Sequence, residues 1–432
     1  MEHTQALTQR IQDGAYDSVL SYLHPGAADL SRHRQRLCQV AEAFRQQFGD
    51  QPVRLFSAPG RTEIGGNHTD HQHGCVVGAS VDLDIVCAAC PNGTNTVRIL
   101  SEGYSMEEVD LSDLEVHPED YNRSRALIRG VAAGLRERGF AIGGFDATMT
   151  SDVLGGSGLS SSAAYEVLLG TLFSCLFNDN TVTPIQVAQI GQYAENKYFG
   201  KPCGLLDQMS CSVGGFVAMD FYNPAAPMVD KVDFDFATTG YVMCIVDSRA
   251  DHADLTDDYA AITRENRQVA QFFGKEVLRQ VPAQDFYANL AQLRQQVCDR
   301  AILRAHHFFQ ENLRAQQIAQ ALREHDFASF LKLSATSGRS SFMYLQNIYS
   351  ASQPLSQGVS VALAATEHLL QGQGAFRIHG GGFGGTIQVF VPQAMVEDYR
   401  RGIDAVLGEG ACHLLSIRPV GGIELVGTPG AN

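Results

Sequence analysis

The sequence predicts a mixed α/β protein, of the α+β type, folded as two domains. Three observations carry that expectation. Runs of alternating or β-branched residues are interspersed with helical stretches along the chain, the pattern of layered strands and helices. Two glycine-rich segments, 155–158 and 380–385, punctuate those runs. The 432 residues also exceed one domain, at roughly 150 residues each. The boundary is expected near the loop-like Asn223-Pro-Ala-Ala-Pro227, giving domains of residues 1–225 and 226–432.

The elements follow in order. Residues 1–50 read as polar and helical, with a helix over 31–48. Residues 53–58 read as a strand running into a polar loop at Pro59-Gly60-Arg61. Residues 75–89 alternate as a strand or strand pair, and Pro91-Asn92-Gly93 marks a turn. Leu127, Val131 and Leu135 stand at helical spacing within 123–138, and 145–150 alternates as a strand. A helix over 159–177 follows the first glycine loop. Thr183 and Pro184 form a cap and first turn for a helix to about residue 198, which Gly200 ends. The second half opens with the apolar run 241–246, continues in helical stretches 259–273 and 286–322, and closes with β-formers over 376–392.

Composition narrows the function. Lys plus Arg total 32 against 47 Asp plus Glu, a net charge of −15, which argues against nucleic acid or an anionic membrane as the main partner. No run approaches about 20 apolar residues, and Met1-Glu-His-Thr4 opens no signal peptide, so a cytoplasmic protein is expected. Ten cysteines are scattered, many in apolar runs such as Val242-Met-Cys-Ile-Val246, and read as reduced and buried. Cys87-Ala-Ala-Cys90 has no second pair at zinc-finger spacing and reads as structural.

Four segments carry chemistry. In Leu154-Gly-Gly-Ser-Gly-Leu-Ser-Ser-Ser-Ala-Ala164, glycines admit a close ligand, and the helix that follows offers free N–H groups and a positive dipole end. That suits phosphate, with a serine-capped turn as the plain alternative; it is no Walker loop. Residues 58–74 crowd Arg61, Asn67, His68, Asp70, His71 and His73 together. Such density suits a polyhydroxylated ligand, although His68, Asp70, His71 and His73 could also serve a metal, or the stretch could be a solvated loop. In Gly200-Lys-Pro-Cys-Gly-Leu-Leu-Asp-Gln-Met209 the lone carboxylate Asp207 is a buried general base or a helix cap. Glu195, twelve residues earlier, is a Mg²⁺ ligand or a surface charge paired with Lys197 or Lys201. Arg377-Ile-His-Gly-Gly-Gly-Phe-Gly-Gly385 permits close packing against a backbone or ligand.

In this order the four segments resemble the GHMP kinase superfamily and, within it, the galactokinases. The likeness extends more weakly through 247–259 and 304–341. The resemblance implies two α/β domains, the first like ribosomal protein S5 domain 2 and the second ferredoxin-like, with the site between them. It implies ATP and Mg²⁺ as cofactors, sugar and ATP as small-molecule partners, and a monomer. Arg61 and Asp207 would flank the reacting hydroxyl, and Ser162 and Glu195 would hold Mg²⁺. Gly156, Ser157, Gly158, Ser160 and Ser161 would contact the phosphates, and Asn67, His68, Asp70, Gly204 and Tyr259 the sugar.

The chain departs from the family pattern at several positions. Asn67 stands where the family has Glu, His71 where it has Tyr, and Glu63 where it has Asn. Leu154 replaces Pro, Ser157 replaces Gly, and Gly338 replaces a usual His. Asn67 removes a charge from the part of the family pocket that reads the sugar's C6 hydroxyl, so a uronic acid stands beside galactose as substrate. A sugar sensor without turnover and a metal-dependent hydrolase on His68–His73 are the rivals from other classes.

Overall fold

The computed structural model describes residues 2–153, 159–201, 203–250 and 255–428. A short strand β1 (Glu2–His3) is followed by helices α1 (Thr4–Gln12), α2 (Asp17–Leu23) and α3 (Ser31–Phe48). Next come β2 (Pro52–Gly65), β3 (Cys75–Pro91), β4 (Thr96–Ser101), β5 (Glu107–Asp110), α4 (Ser124–Glu137) and β6 (Phe145–Ser151). Helices α5 (Ser161–Phe177), α6 (Pro184–Ala194) and α7 (Leu206–Val213) pack together and lead to β7 (Phe216–Asp220) and β8 (Met228–Val232). The remainder holds β9 (Tyr241–Asp247), α8 (Thr256–Phe272), α9 (Ala283–Ala288), α10 (Leu290–Gln296), α11 (Asp299–Arg323), α12 (Phe327–Ser340) and α13 (Gly358–Leu370). It closes with β10 (Ala375–Ile378), β11 (Thr386–Pro392), α14 (Val396–Leu407), β12 (Cys412–Leu415) and β13 (Ile423–Leu425).

Two sheets organise these elements. The larger runs β1-β2-β3-β6-β4-β5, with β7 and β8 added on β3 and β13 added on β2. Its pairings are antiparallel except β4 with β6. The smaller is antiparallel, in the order β10-β11-β9-β12. The chain passes from one sheet to the other between Val232 and Tyr241, and β13 then returns to the first.

The strand β3 separates two cores, because alternate residues face opposite sides. Cys87 and Ala89 join the core under α4, α5 and α6, whereas Val86, Ala88 and Cys90 join the core under α1–α3. Cys87 and Cys90 therefore sit on opposite faces of one sheet and cannot share a metal. All ten cysteines are free. The polar-looking N-terminal segment covers this sheet face with Leu7, Ile11, Leu20, Leu23, Leu37, Val40 and Phe44.

Three expectations need correction. The strand predicted to stop at residue 58 continues to Gly65, so Pro59-Gly60-Arg61 is strand and not loop. Its register shifts between Pro59 and Arg61, and a bulge is where a strand tolerates a proline lacking its N–H. The helix predicted to reach residue 198 is α-helical only to Ala194, and a π turn, Glu195–Phe199, completes it. The stretch 286–322 breaks twice, at Asn289 and at Val297, whose backbone is extended (φ −127°, ψ 161°). Gly200 ends its helix with φ 81°, as predicted.

Candidate active site

The extended β2 places the site. Its bulge brings Arg61 inward, and the Arg61 amide donates to the Leu159 carbonyl (3.2 Å) at the exit of the first glycine loop. A Cβ at Gly60 would stand 3.0 Å from that carbonyl oxygen and 3.1 Å from Val153, so the strand and loop meet only because residue 60 lacks a side chain. Gly156, Ser157 and Gly158 lie outside the described residues.

Asp207 stands in the first turn of α7, and its carboxylate is held by side chains from other segments. Arg61 donates through Nε to Oδ1 (2.7 Å) and through a terminal nitrogen to Oδ2 (2.8 Å), a two-pronged fork. The Ser160 hydroxyl also donates to Oδ2. Ser160 has φ 56°, the left-handed bend that turns its hydroxyl back before α5 starts. The helix-cap reading of Asp207 thus gives way to an arginine-paired carboxylate. Burial raises the Asp207 pKa, but Arg61 and Ser160 outweigh it and hold the group below the usual carboxylate range. Its side chain remains 34% exposed, so the carboxylate is open on one side.

A second acidic group lies beside it. Ser162, in the first turn of α5, donates to Glu195 Oε1 (3.1 Å). Glu195 is 2% exposed, so it is no surface charge. It pairs with Lys201 (3.3 Å), while Lys197 reaches Glu137 instead. The Gln208 amide nitrogen donates to Glu195 Oε2 (2.8 Å) and to Glu166 Oε2 (3.0 Å). Glu166 is fully buried, and burial together with the charge of Glu195 pushes its pKa well above the ordinary value. Ser161 is exposed at the start of α5.

The predicted sugar residues gather where β2 runs out and the second glycine loop of the C-terminal sheet approaches. His68, with φ 61°, donates from Nε2 to the Gly381 carbonyl (2.8 Å). Burial drives its pKa down to about 3, so it is neutral. The Tyr259 hydroxyl donates to the Gly382 carbonyl (2.8 Å), and a Cβ at Gly381 would lie 2.4 Å from the tyrosine ring. A Cβ at Gly204 would lie 1.9 Å from an Asp70 carboxylate oxygen, so glycine alone lets these two segments touch. Asp70 takes the His71 amide on its other oxygen (3.0 Å). Among the described residues, no three His, Cys, Asp or Glu side chains are grouped to hold a metal ion.

Asn67 is placed differently from its neighbours. It is 1% exposed, with its amide bound inside the protein. The amide donates to both Glu63 oxygens (3.0 and 3.2 Å) and to the Gly380 carbonyl (2.8 Å), and accepts from Ser341 (3.2 Å) and Asn347 (3.0 Å). Two of the departures from the family signature, Glu63 and Asn67, are therefore one contact. Arg377, fully buried, forms an ion pair with Glu63. Gly338, the departure in α12, packs so closely that a Cβ would lie 2.8 Å from the Phe376 carbonyl.

Sequence reasoning did not single out His379, Gln208 or Glu166. His379 Nε2 meets the Thr62 hydroxyl (3.0 Å) and the Glu63 amide (3.3 Å), tying β2 to the glycine loop. The position of His379 inside the Arg377–Gly385 motif was the available signal. Gln208 follows the predicted acid directly, and Glu166 lies one helical turn beyond Ser162.

Comparison with known proteins identifies the family. Residues 42–91 match the galactokinase galactose-binding signature, and residues 126–215 match the GHMP kinases N terminal domain. A galactokinase of Glaesserella parasuis serovar 5 (strain SH0165) is 32% identical over 364 residues, covering 83% of this chain and 90% of that protein. The fold is similar to that of Lactococcus lactis galactokinase complexed with galactose (TM-score 0.75, 24% identity, 88% of this chain and 97% of that one). It is also similar to that of Methanococcus jannaschii mevalonate kinase (TM-score 0.60, 12% identity, 85% and 98%). Sharing close to a third of its residues with a curated galactokinase along nine-tenths of that protein, the chain belongs to the galactokinase family and is a sugar kinase.

Proposed function

We propose that the chain transfers the terminal phosphoryl group of ATP to the anomeric hydroxyl of D-galactose, giving galactose 1-phosphate and ADP. The observation that carries this is the carboxylate of Asp207, forked by Arg61 and open on one side, beside the Ser162–Glu195 pair. In this reading residues 1–225 supply the phosphate and acid groups, and residues 226–432 close the sugar side. We read it as cytoplasmic, a reading that its ten free cysteines and its need for ATP support. We read it as a monomer.

Ser162 and Glu195 would hold Mg²⁺, since a hydroxyl and a carboxylate are the oxygen donors that suit it. When bound there, the ion neutralises charge on the transferring group. As the resemblance implies, Gly156, Ser157, Gly158 and Ser161 would contact the phosphates. Arg61 steadies Asp207 and places positive charge near the reacting oxygens. Asp207 accepts a hydrogen bond from the anomeric hydroxyl and takes its proton as the new O–P bond forms and the bridging bond to the leaving ADP breaks. A carboxylate held below its usual pKa is a weak base, so its main contribution is orientation, which phosphoryl transfer requires most.

On the sugar side, Asp70, with Gly204 against it, presents its remaining acceptor sites to sugar hydroxyls, and His68 and Tyr259 form the wall against the glycine loop. Asn67 acts from behind, holding Glu63 and Gly380 in place.

Initial rates of ADP release with Mg-ATP over galactose, galacturonate, N-acetylgalactosamine, glucose and arabinose test the reading. Galactose should give the highest kcat/KM. A preference for galacturonate would reassign the substrate, and no ADP release with any sugar would leave a sensor.

A further inference from the structure

A buried acid with an unsatisfied oxygen lies behind the Ser162–Glu195 pair, and the mechanism above does not use it. Glu166 is fully buried on α5, one turn beyond Ser162. Its Oε2 accepts from Gln208 Nε2 (3.0 Å), but its Oε1 is buried without a partner. Gln208 repeats the pattern. Its Nε2 reaches Glu166, Glu195 (2.8 Å) and the Cys203 sulfur (3.6 Å), while its own Oε1 is buried without a partner. A Cβ at Gly191 would stand 3.0 Å from Glu166 and 3.1 Å from Gln208, so a glycine on α6 admits the pair.

Two orphan oxygens on two touching side chains lack one hydrogen between them. A carboxylic acid at Glu166 would supply it, adding a second hydrogen bond beside the one Gln208 Nε2 already makes to Glu166 Oε2. That pair decides which way the Gln208 amide faces. With the amide oxygen bound by the acid, the second N–H has to point at Glu195.

We propose that Glu166 is a positioning residue: paired with Gln208, it aims the Gln208 amide N–H at Glu195 and so fixes the orientation in which Glu195 meets the metal of the nucleotide. The inference rests on the kinase reading of the Ser162–Glu195 pair. The burial of Glu166 beside the charge of Glu195, which favours its protonated form, agrees with it.

The test reads metal binding and not turnover. Mn²⁺ is titrated into the full-length protein with ADP, and free Mn²⁺ is followed by electron paramagnetic resonance. Glu166→Gln keeps a donor and an acceptor in the same shape and should retain the wild-type affinity. Glu166→Met keeps the volume but neither hydrogen bond, and should weaken Mn²⁺ by about 10–100-fold, the usual cost of losing a group behind a metal ligand. Unchanged affinity in Glu166→Met would overturn the proposal, because packing alone would then explain the residue. Equal losses in both variants would also overturn it, because the charge itself would then matter. If the wild-type protein binds no Mn²⁺ with ADP, the reading of Ser162 and Glu195 fails instead.

Discussion

Two arginine-paired carboxylates, Asp84 and Asp207, share a chemistry and differ in use. Asp84 on β3 accepts from Arg36 of α3 (2.6 Å), from Arg418 near the C-terminus (3.1 Å) and from Ser57 of β2. His24, stacked on His33 at 3.7 Å between ring centroids, stands 4.0 Å away. Asp207 has a fork from one arginine and a bond from one serine. For both, burial raises the pKa, but the arginine and serine neighbours outweigh it, leaving a carboxylate at neutral pH. The difference is access. Asp84 is enclosed (0% exposed) and joins three distant segments, whereas Asp207 is one-third open and has room for a further partner. An ion pair buried on every side serves the fold, and one left open can serve a reaction.

The sharpest way to break this contrast is to neutralise each acid. Asp207→Asn should lower kcat by about 10²–10⁴, the range for a lost proton acceptor, while galactose binding by calorimetry and the melting temperature stay near wild type. A large loss of melting temperature would make Asp207 a second structural acid. Asp84→Ala should do the reverse. It leaves Arg36 and Arg418 buried without their counter-charge and should cost about 3–5 kcal/mol in denaturant unfolding, with kcat of the folded fraction preserved.

Acid should also reach the enclosed cluster. Burial is the main cause that lowers the His24 pKa from 6.5 to about 4, with Asp84 opposing and His33, Arg418 and Arg36 adding to it. The unfolded chain therefore takes a proton that the folded chain refuses. Stability should fall as pH drops from 6.5 to about 4 and level off below for this group, a loss on the order of 3 kcal/mol. His24→Asn should flatten the stability–pH curve over that window. Asp84, whose pKa is lowered in the fold, contributes above the ordinary carboxylate range and is lost only at lower pH. A curve unchanged by His24→Asn would remove the cluster from acid sensitivity. The smallest effect belongs to the sugar wall. Asp70→Ala should raise the KM for galactose, with about 1–3 kcal/mol lost where hydroxyls go unpaired and kcat changing less. A fall in kcat at constant KM would move Asp70 to the phosphoryl side.

Much of this was legible in local pattern. Helix periodicity located 31–48, and the Thr183-Pro184 start produced a capping box in the structure. The lone acid of 200–209 drew attention to Asp207, whereas Ser162 was singled out from its serine run only by the family resemblance. The strand through Pro59 was not legible, because a proline and a glycine side by side read as a turn unless a long neighbour such as β3 is there to pair with a bulge. The N-terminal helices looked polar because their apolar stripe has meaning only against a sheet face.

The sequence alone determined the layered α/β class, the four motifs and the residue types that phosphate and sugar chemistry need, since those follow from local periodicity and spacing. Tertiary structure decided which charges are enclosed and which are open. It set Glu63 against Asn67 and Arg377, put Gln208 between two carboxylates, and showed Asp84 to be a clasp and Asp207 to face outward. Burial and pairing across hundreds of residues are properties of packing, and no stretch of chain carries them by itself.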